Sequence, residues 1–148
     1  MKQPKIYLIS VLFFLFTLNA TCSQDTNSAM TENLEQKNSS LAGEVLVTNS
    51  LEIDFSKHKV TFIELGADRC IPCKAMQPIM KEIAEEYAGK IQVVFYDVWK
   101  DPKPARHYRI QLIPTQVFID QEGKEIFRHV GFFPKEEILQ AFKEKGIL

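Results

Sequence analysis

Beyond residue 43, short apolar runs trade places with stretches of helical period, and the alternation predicts the elements of one domain. Val45-Leu46-Val47 reads as a short first strand. Lys59 to Leu65 alternates and is rich in β-branched and aromatic residues, as expected of a strand near the centre of a sheet. From Cys73 to Tyr87 the apolar residues Met76, Ile79, Met80, Ile83, Ala84 and Tyr87 recur at helical spacing, and Gly89 supplies the stop. Ile91 to Val98 is almost continuously apolar, the mark of a parallel strand covered on both faces. Asp101 to Tyr108 predicts a short helix, because Pro102 and Pro104 are compatible only with a first turn. Thr115 to Ile119 is a strand, Gln121-Glu122-Gly123 a turn, and Glu125 to Val130 the antiparallel return. Pro134 to Lys145 is a closing amphipathic helix with Ile138, Leu139 and Phe142 facing inward. The order β, β, α, β, α, β, β, α predicts an α/β domain over residues 43–148, a central mixed sheet flanked by helices on both faces.

The first 42 residues follow other rules. Lys2 and Lys5 precede an uncharged run from Ile6 to Leu18, which is followed by the polar stretch Asn19 to Gln24. A run of 13 residues falls short of the roughly 18 that a spanning helix needs. Residues 1–22 therefore read as a signal peptide, or as an anchor if neighbouring polar residues are drawn in. Residues 23–42 are rich in Ser, Thr, Asn, Gln and Glu with almost no large apolar side chains, too few to offset ordering entropy, and are expected to form a flexible linker. Export is expected, to a periplasm or to a membrane-tethered position on the extracytoplasmic face. Cys22 follows the apolar run where a lipid attachment site would stand, but Thr21 and Asn19 fit that pattern poorly, so a spare or removed thiol is the competing reading. The net charge is −1 and the basic residues are scattered, which argues against a nucleic-acid partner.

The candidate chemistry lies in Gly66-Ala67-Asp68-Arg69-Cys70-Ile71-Pro72-Cys73-Lys74, where a strand pattern gives way to a helical one. The free N–H groups and aligned dipoles of a first helical turn favour an anion. Cys70 should therefore ionise below the ~8.5 of a free thiol. Cys73 lies one turn further on, close enough to form a disulfide with Cys70 and to resolve a mixed disulfide. Half of a zinc site is the competing reading, but no second Cys-X-X-Cys occurs, and His58, His107 and His129 stand at no ligand spacing. No phosphate loop, dinucleotide fingerprint or serine elbow is present, so the thiols themselves are expected to carry the reaction, with neither metal nor cofactor. Phe132-Phe133 and Trp99 are expected to pack into the core or at a strand end.

With Cys70-Ile71-Pro72-Cys73-Lys74 opening a helix, Ile113-Pro114-Thr115 downstream, then a hairpin and a final helix, the chain resembles the thioredoxin family from Val45 to Leu148. The resemblance implies a thioredoxin fold in which Cys70 attacks, Cys73 resolves and Pro114 is a cis proline facing the pair. It also implies that the backbone of Ile113 pairs with a substrate strand and that Gly131 lets substrate approach. Glu64 takes the place of the family's buried aspartate, the proton acceptor for the resolving thiol, the other reading being a carboxylate at a strand edge that reaches water. Arg69 stands where the family usually has tryptophan, and its charge, with Lys74, is expected to tune the thiol.

Pro72 before the second cysteine resembles reducing members of the family, and behind a leader the motif is similar to exported reductases charged by a membrane thiol carrier. The expected activity is thus extracytoplasmic protein-disulfide reduction by a monomer acting on protein disulfide substrates. Two alternatives remain open at this point: a disulfide oxidant or isomerase of the same fold, and a non-catalytic binding module or thiol sensor.

Overall fold

The computed structural model describes residues 43–148; the leader over 1–22, Cys22 and the linker over 23–42 lie outside the described residues. Five strands form one sheet: β1 (Val45–Val47), β2 (Val60–Gly66), β3 (Ile91–Asp97), β4 (Thr115–Asp120) and β5 (Glu125–Val130). Their spatial order is β1-β3-β2-β4-β5, parallel among the first three and antiparallel from β2 to β4 to β5. The helices are α1 (Ile71–Glu86), α2 (Lys103–His107) and α3 (Lys135–Glu144), with a 3₁₀ turn at Phe55–Lys57.

β2 is buried at every position, and the strand period sends its residues alternately to two cores. Val60 and Phe62 join Met76, Met80 and Ile83 of α1 and Ile138 and Phe142 of α3. Ile63 and Leu65 meet Val94, Tyr96, Tyr108 and Val117 on the other side, where Ala105 of α2 and Phe55 close the cover. In the first core Phe62 meets two rings edge to face, Phe118 at 5.2 Å and Phe142 at 6.2 Å. The mixed sheet with helices on both faces is thus present as predicted.

The boundaries differ for local reasons. β2 runs one residue past its predicted end because Gly66 still pairs with Asp97 on β3. α1 begins two residues before Cys73, since Cys70 caps it and Pro72 sits in its first turn, where no N–H is required. Pro78 lies inside α1, on an exposed position, and removes one backbone bond there without ending the helix. α2 spans only five residues: Pro102 becomes its cap, and Arg109, at φ 53°, turns the chain away. In the hairpin the Asp120 carboxylate accepts from the N–H groups of Glu122 (3.1 Å) and Lys124 (2.8 Å), fixing the turn. Trp99 does not pack as expected but is 61% exposed; of the phenylalanine pair, Phe133 is in the core and Phe132 is largely exposed.

Candidate active site

α1 begins where β2 leaves the sheet, and this junction holds both cysteines. Cys70 is the N-cap in extended conformation, its sulfur accepting the Cys73 N–H at 3.4 Å. The two are joined as a disulfide with Cα atoms 5.2 Å apart, well inside the range such a bond needs. Cys73 is fully buried; Cys70 retains a small exposed surface. Gly66 makes this seat possible. A Cβ there would stand 3.1 Å from the Cys73 Cβ, 3.3 Å from its sulfur and 3.1 Å from the Phe95 ring, so the strand end has to lack a side chain for α1 to settle on it.

The loop between is pinned from β3. The Asp97 carboxylate accepts from the N–H groups of Asp68 (3.3 Å), Trp99 (3.1 Å) and Lys100 (3.2 Å), and the Lys100 ammonium pairs with both Asp97 and Asp68. Burial pushes the Asp97 carboxyl up, but these hydrogen bonds outweigh it and hold the group below the usual carboxylate range. Arg69 and Lys74 flank the disulfide with exposed side chains, and neither forms an ion pair among the described residues.

A second loop closes the other side. The Ile113–Pro114 peptide is cis, and Ile113 packs against Ala67, Cys70 and Cys73. The Thr115 hydroxyl donates to the Leu112 carbonyl at 2.7 Å, and the Gly131 N–H donates to the Pro114 carbonyl at 2.8 Å. Gly131 has φ 101° and open space where a Cβ would stand, so the chain turns beside the cis proline without filling the approach to it.

Glu64 lies on the same face of β2 as Gly66, two residues back and about 7 Å by strand rise. It does not reach water: its side chain is fully buried, opposite Phe95 on β3 and Gln116 on β4. Gln116 Nε2 donates to Glu64 Oε2 at 2.8 Å and to the Gly131 carbonyl at 3.1 Å. Burial pushes the Glu64 carboxyl up to about 8, the Gln116 bond offsetting part of the rise. Near neutral pH the carboxyl is thus mostly in its acid form, with a minor ionised fraction.

These parts recur in known proteins. The Thioredoxin family model matches residues 44–144 of the chain. The chain belongs to the thioredoxin family. It is 31% identical over 100 residues to the thioredoxin of Staphylococcus saprophyticus, covering 68% of this chain and 95% of that one. The Staphylococcus aureus thioredoxin is 33% identical over 82 residues, 55% of this chain and 78% of that one. Among solved structures, Malassezia sympodialis thioredoxin aligns with a TM-score of 0.60 at 29% identity, covering 73% of this chain and 96% of that one. A mutant thioredoxin of Halobacterium salinarum aligns at 0.62 and 24% identity over 70% and 91%, and supports the fold. The fold is the thioredoxin fold, and the protein is a thioredoxin-like thiol–disulfide oxidoreductase whose redox pair is Cys70–Cys73.

The predicted residues of this thioredoxin domain fall into distinct groups. Cys70, Cys73 and Ile113 come together at the disulfide with Pro114 next to Ile113 in the chain, Glu64 and Gly131 meet through Gln116, and Arg69, Pro72 and Lys74 flank the pair in sequence. Sequence reasoning passed over Gln116 and Asp97. Both had a signal: Gln116 breaks an apolar strand at the parity that faces Glu64, and Asp97 is an acid that ends a buried run.

Proposed function

We propose that this thioredoxin-family protein works outside the cytoplasm as a reductase of protein disulfides, acting as a monomer and recharged by a membrane thiol donor. The observation that carries the reductase reading is a disulfide at the first turn of α1, with Ile113 of the cis-proline loop packed on it. In the reduced protein, the Cys70 thiolate attacks one sulfur of a substrate disulfide and releases the other as a thiolate. Cys73 then attacks the Cys70 sulfur, frees the second substrate thiolate and closes Cys70–Cys73, so two electrons pass to the substrate. Glu64, with a carboxyl near 8, is close in proton affinity to an ordinary thiol, so the fraction of it that is ionised is suited to take the Cys73 proton.

Substrate backbone pairs with Ile113 beside Pro114 and passes the open side of Gly131. Arg69 adds positive charge next to the attacking thiolate, and Pro72 in the first turn favours the reducing direction. The charge and composition of residues 1–42 support export.

Insulin disulfide reduction tests the activity: Cys70→Ser abolishes turnover, whereas unchanged turnover refutes the enzyme reading. The Cys70–Cys73 potential tests the direction. A value near about −270 mV supports reduction, and one near about −120 mV assigns the protein to disulfide oxidation. Labelling intact cells with a membrane-impermeant thiol reagent tests the location; a pair that reacts only after lysis refutes export.

A further inference from the structure

One buried side chain joins two parts of the site that the disulfide chemistry treats separately. Gln116 is completely buried on β4, directly opposite Glu64. Its two amide hydrogens are spent on the Glu64 carboxyl and the Gly131 carbonyl, while Gly131 in turn bonds the Pro114 carbonyl. A buried amide retained in an apolar strand costs free energy unless its partners compensate, and an apolar residue would fill this position more simply. We propose that Gln116 is a positioning residue of the redox site: its amide holds the Glu64 carboxyl and the Gly131 turn in one hydrogen-bonded unit, coupling the proton acceptor to the backbone beside the cis proline. This rests on the reading of Glu64 as the acceptor for Cys73.

Few other groups can account for a titration at this point. Phe95 and Gln116 flank Glu64 in the sheet. On the face of the sheet that Glu64 shares, the titratable groups nearest it on the neighbouring elements are Cys73 over Gly66, Asp97 two residues past Phe95, and His129 opposite Gln116. Asp97 is held ionised. The His129 ring stacks on Phe133 at 4.0 Å, with its Nε2 3.3 Å from the Phe132 carbonyl.

The test uses the oxidised full chain and follows Glu64 by carboxyl NMR. In the unaltered protein the Gln116 side-chain amide and the Phe132 amide, which adjoins the Gly131 carbonyl, should titrate together with Glu64. Gln116→Met keeps the side chain's length and removes its donors. Loss of one hydrogen bond to the charged form should raise the Glu64 midpoint by about one pH unit, and the Phe132 amide should stop responding. In the reduced protein the release step from a mixed disulfide should then move its pH profile up by the same amount and run about tenfold slower at pH 7. Attack by Cys70, measured in Cys73→Ser, should change less than twofold. Gln116→Leu should reproduce these shifts, separating loss of the donor from altered packing.

A Glu64 midpoint that stays in place in both variants, or a Phe132 amide that is indifferent to Glu64 in the unaltered protein, overturns the proposal. A midpoint that moves in His129→Gln also overturns it, by assigning the titration elsewhere. Failure of the underlying reading looks different: Glu64→Gln would leave the release step's pH profile unchanged while Gln116→Met still shifts the carboxyl.

Discussion

Replacing Glu64 with glutamine tests how much stability a buried acid gives up for its position. The carboxyl rises from 4.5 to about 8, chiefly through burial. A folded state that binds a proton more tightly than the unfolded one is favoured at low pH, and the advantage shrinks as pH climbs from the unfolded value to the folded one. Each pH unit in that window removes about 1.4 kcal/mol, so the whole rise corresponds to about 5 kcal/mol, an upper figure because local relaxation and water entry soften buried charges. Glu64→Gln keeps the shape and cannot ionise. Urea unfolding of the oxidised protein, run in both forms between pH 4.5 and 9, gives the difference in stability directly and cancels other titrating groups. The variant should gain on the parent by roughly 3–5 kcal/mol across the window and then level off above pH 8. A difference that stays constant within about 1 kcal/mol would show that Glu64 ionises freely, and the argument from burial would fail.

Gly66→Ala sets a methyl 3.1 Å from Cys73 Cβ and from the Phe95 ring; destabilisation of about 1–3 kcal/mol in urea unfolding is expected, with slower insulin reduction because the second sulfur is displaced. Asp97→Ala frees the Asp68, Trp99 and Lys100 amides and should cost about 1–3 kcal/mol. The same depressed carboxyl contributes stability that is present above its unfolded value and is lost as pH falls through its lower folded value, so the acid limb of unfolding should flatten in this variant. Arg69→Ala should raise the Cys70 thiol pKa and slow its alkylation by iodoacetamide at neutral pH; identical kinetics refute the electrostatic role given to that side chain.

The period of the apolar residues carried the sheet and its helices because burial enforces it at each position: the β2 alternation sorts Phe62 and Ile63 into opposite cores. The two cysteines were legible for a related reason, since the spacing and the strand-to-helix change lie within nine residues of sequence. What escaped notice depends on pairing across the sheet. Gln116 and Glu64 are 52 residues apart, and nothing in a linear reading says that β4 lies beside β2 in that register. Trp99 was misjudged because an aromatic after a buried strand is ordinarily covered, whereas here the Asp97 turn swings the chain outward. Helix ends shifted by a residue or two because capping by Cys70 and Pro102 is decided by local hydrogen bonding rather than by apolar period.

The anchoring of Trp99 also has a practical side. The sequence holds a single indole, tethered through Asp97 to the same short segment that leads into Cys70. Its emission therefore comes from one known place at the edge of the redox centre, unmixed with signals from elsewhere in the chain. A change in that emission on reduction of the disulfide is the expected optical signal of electron transfer, with no label attached.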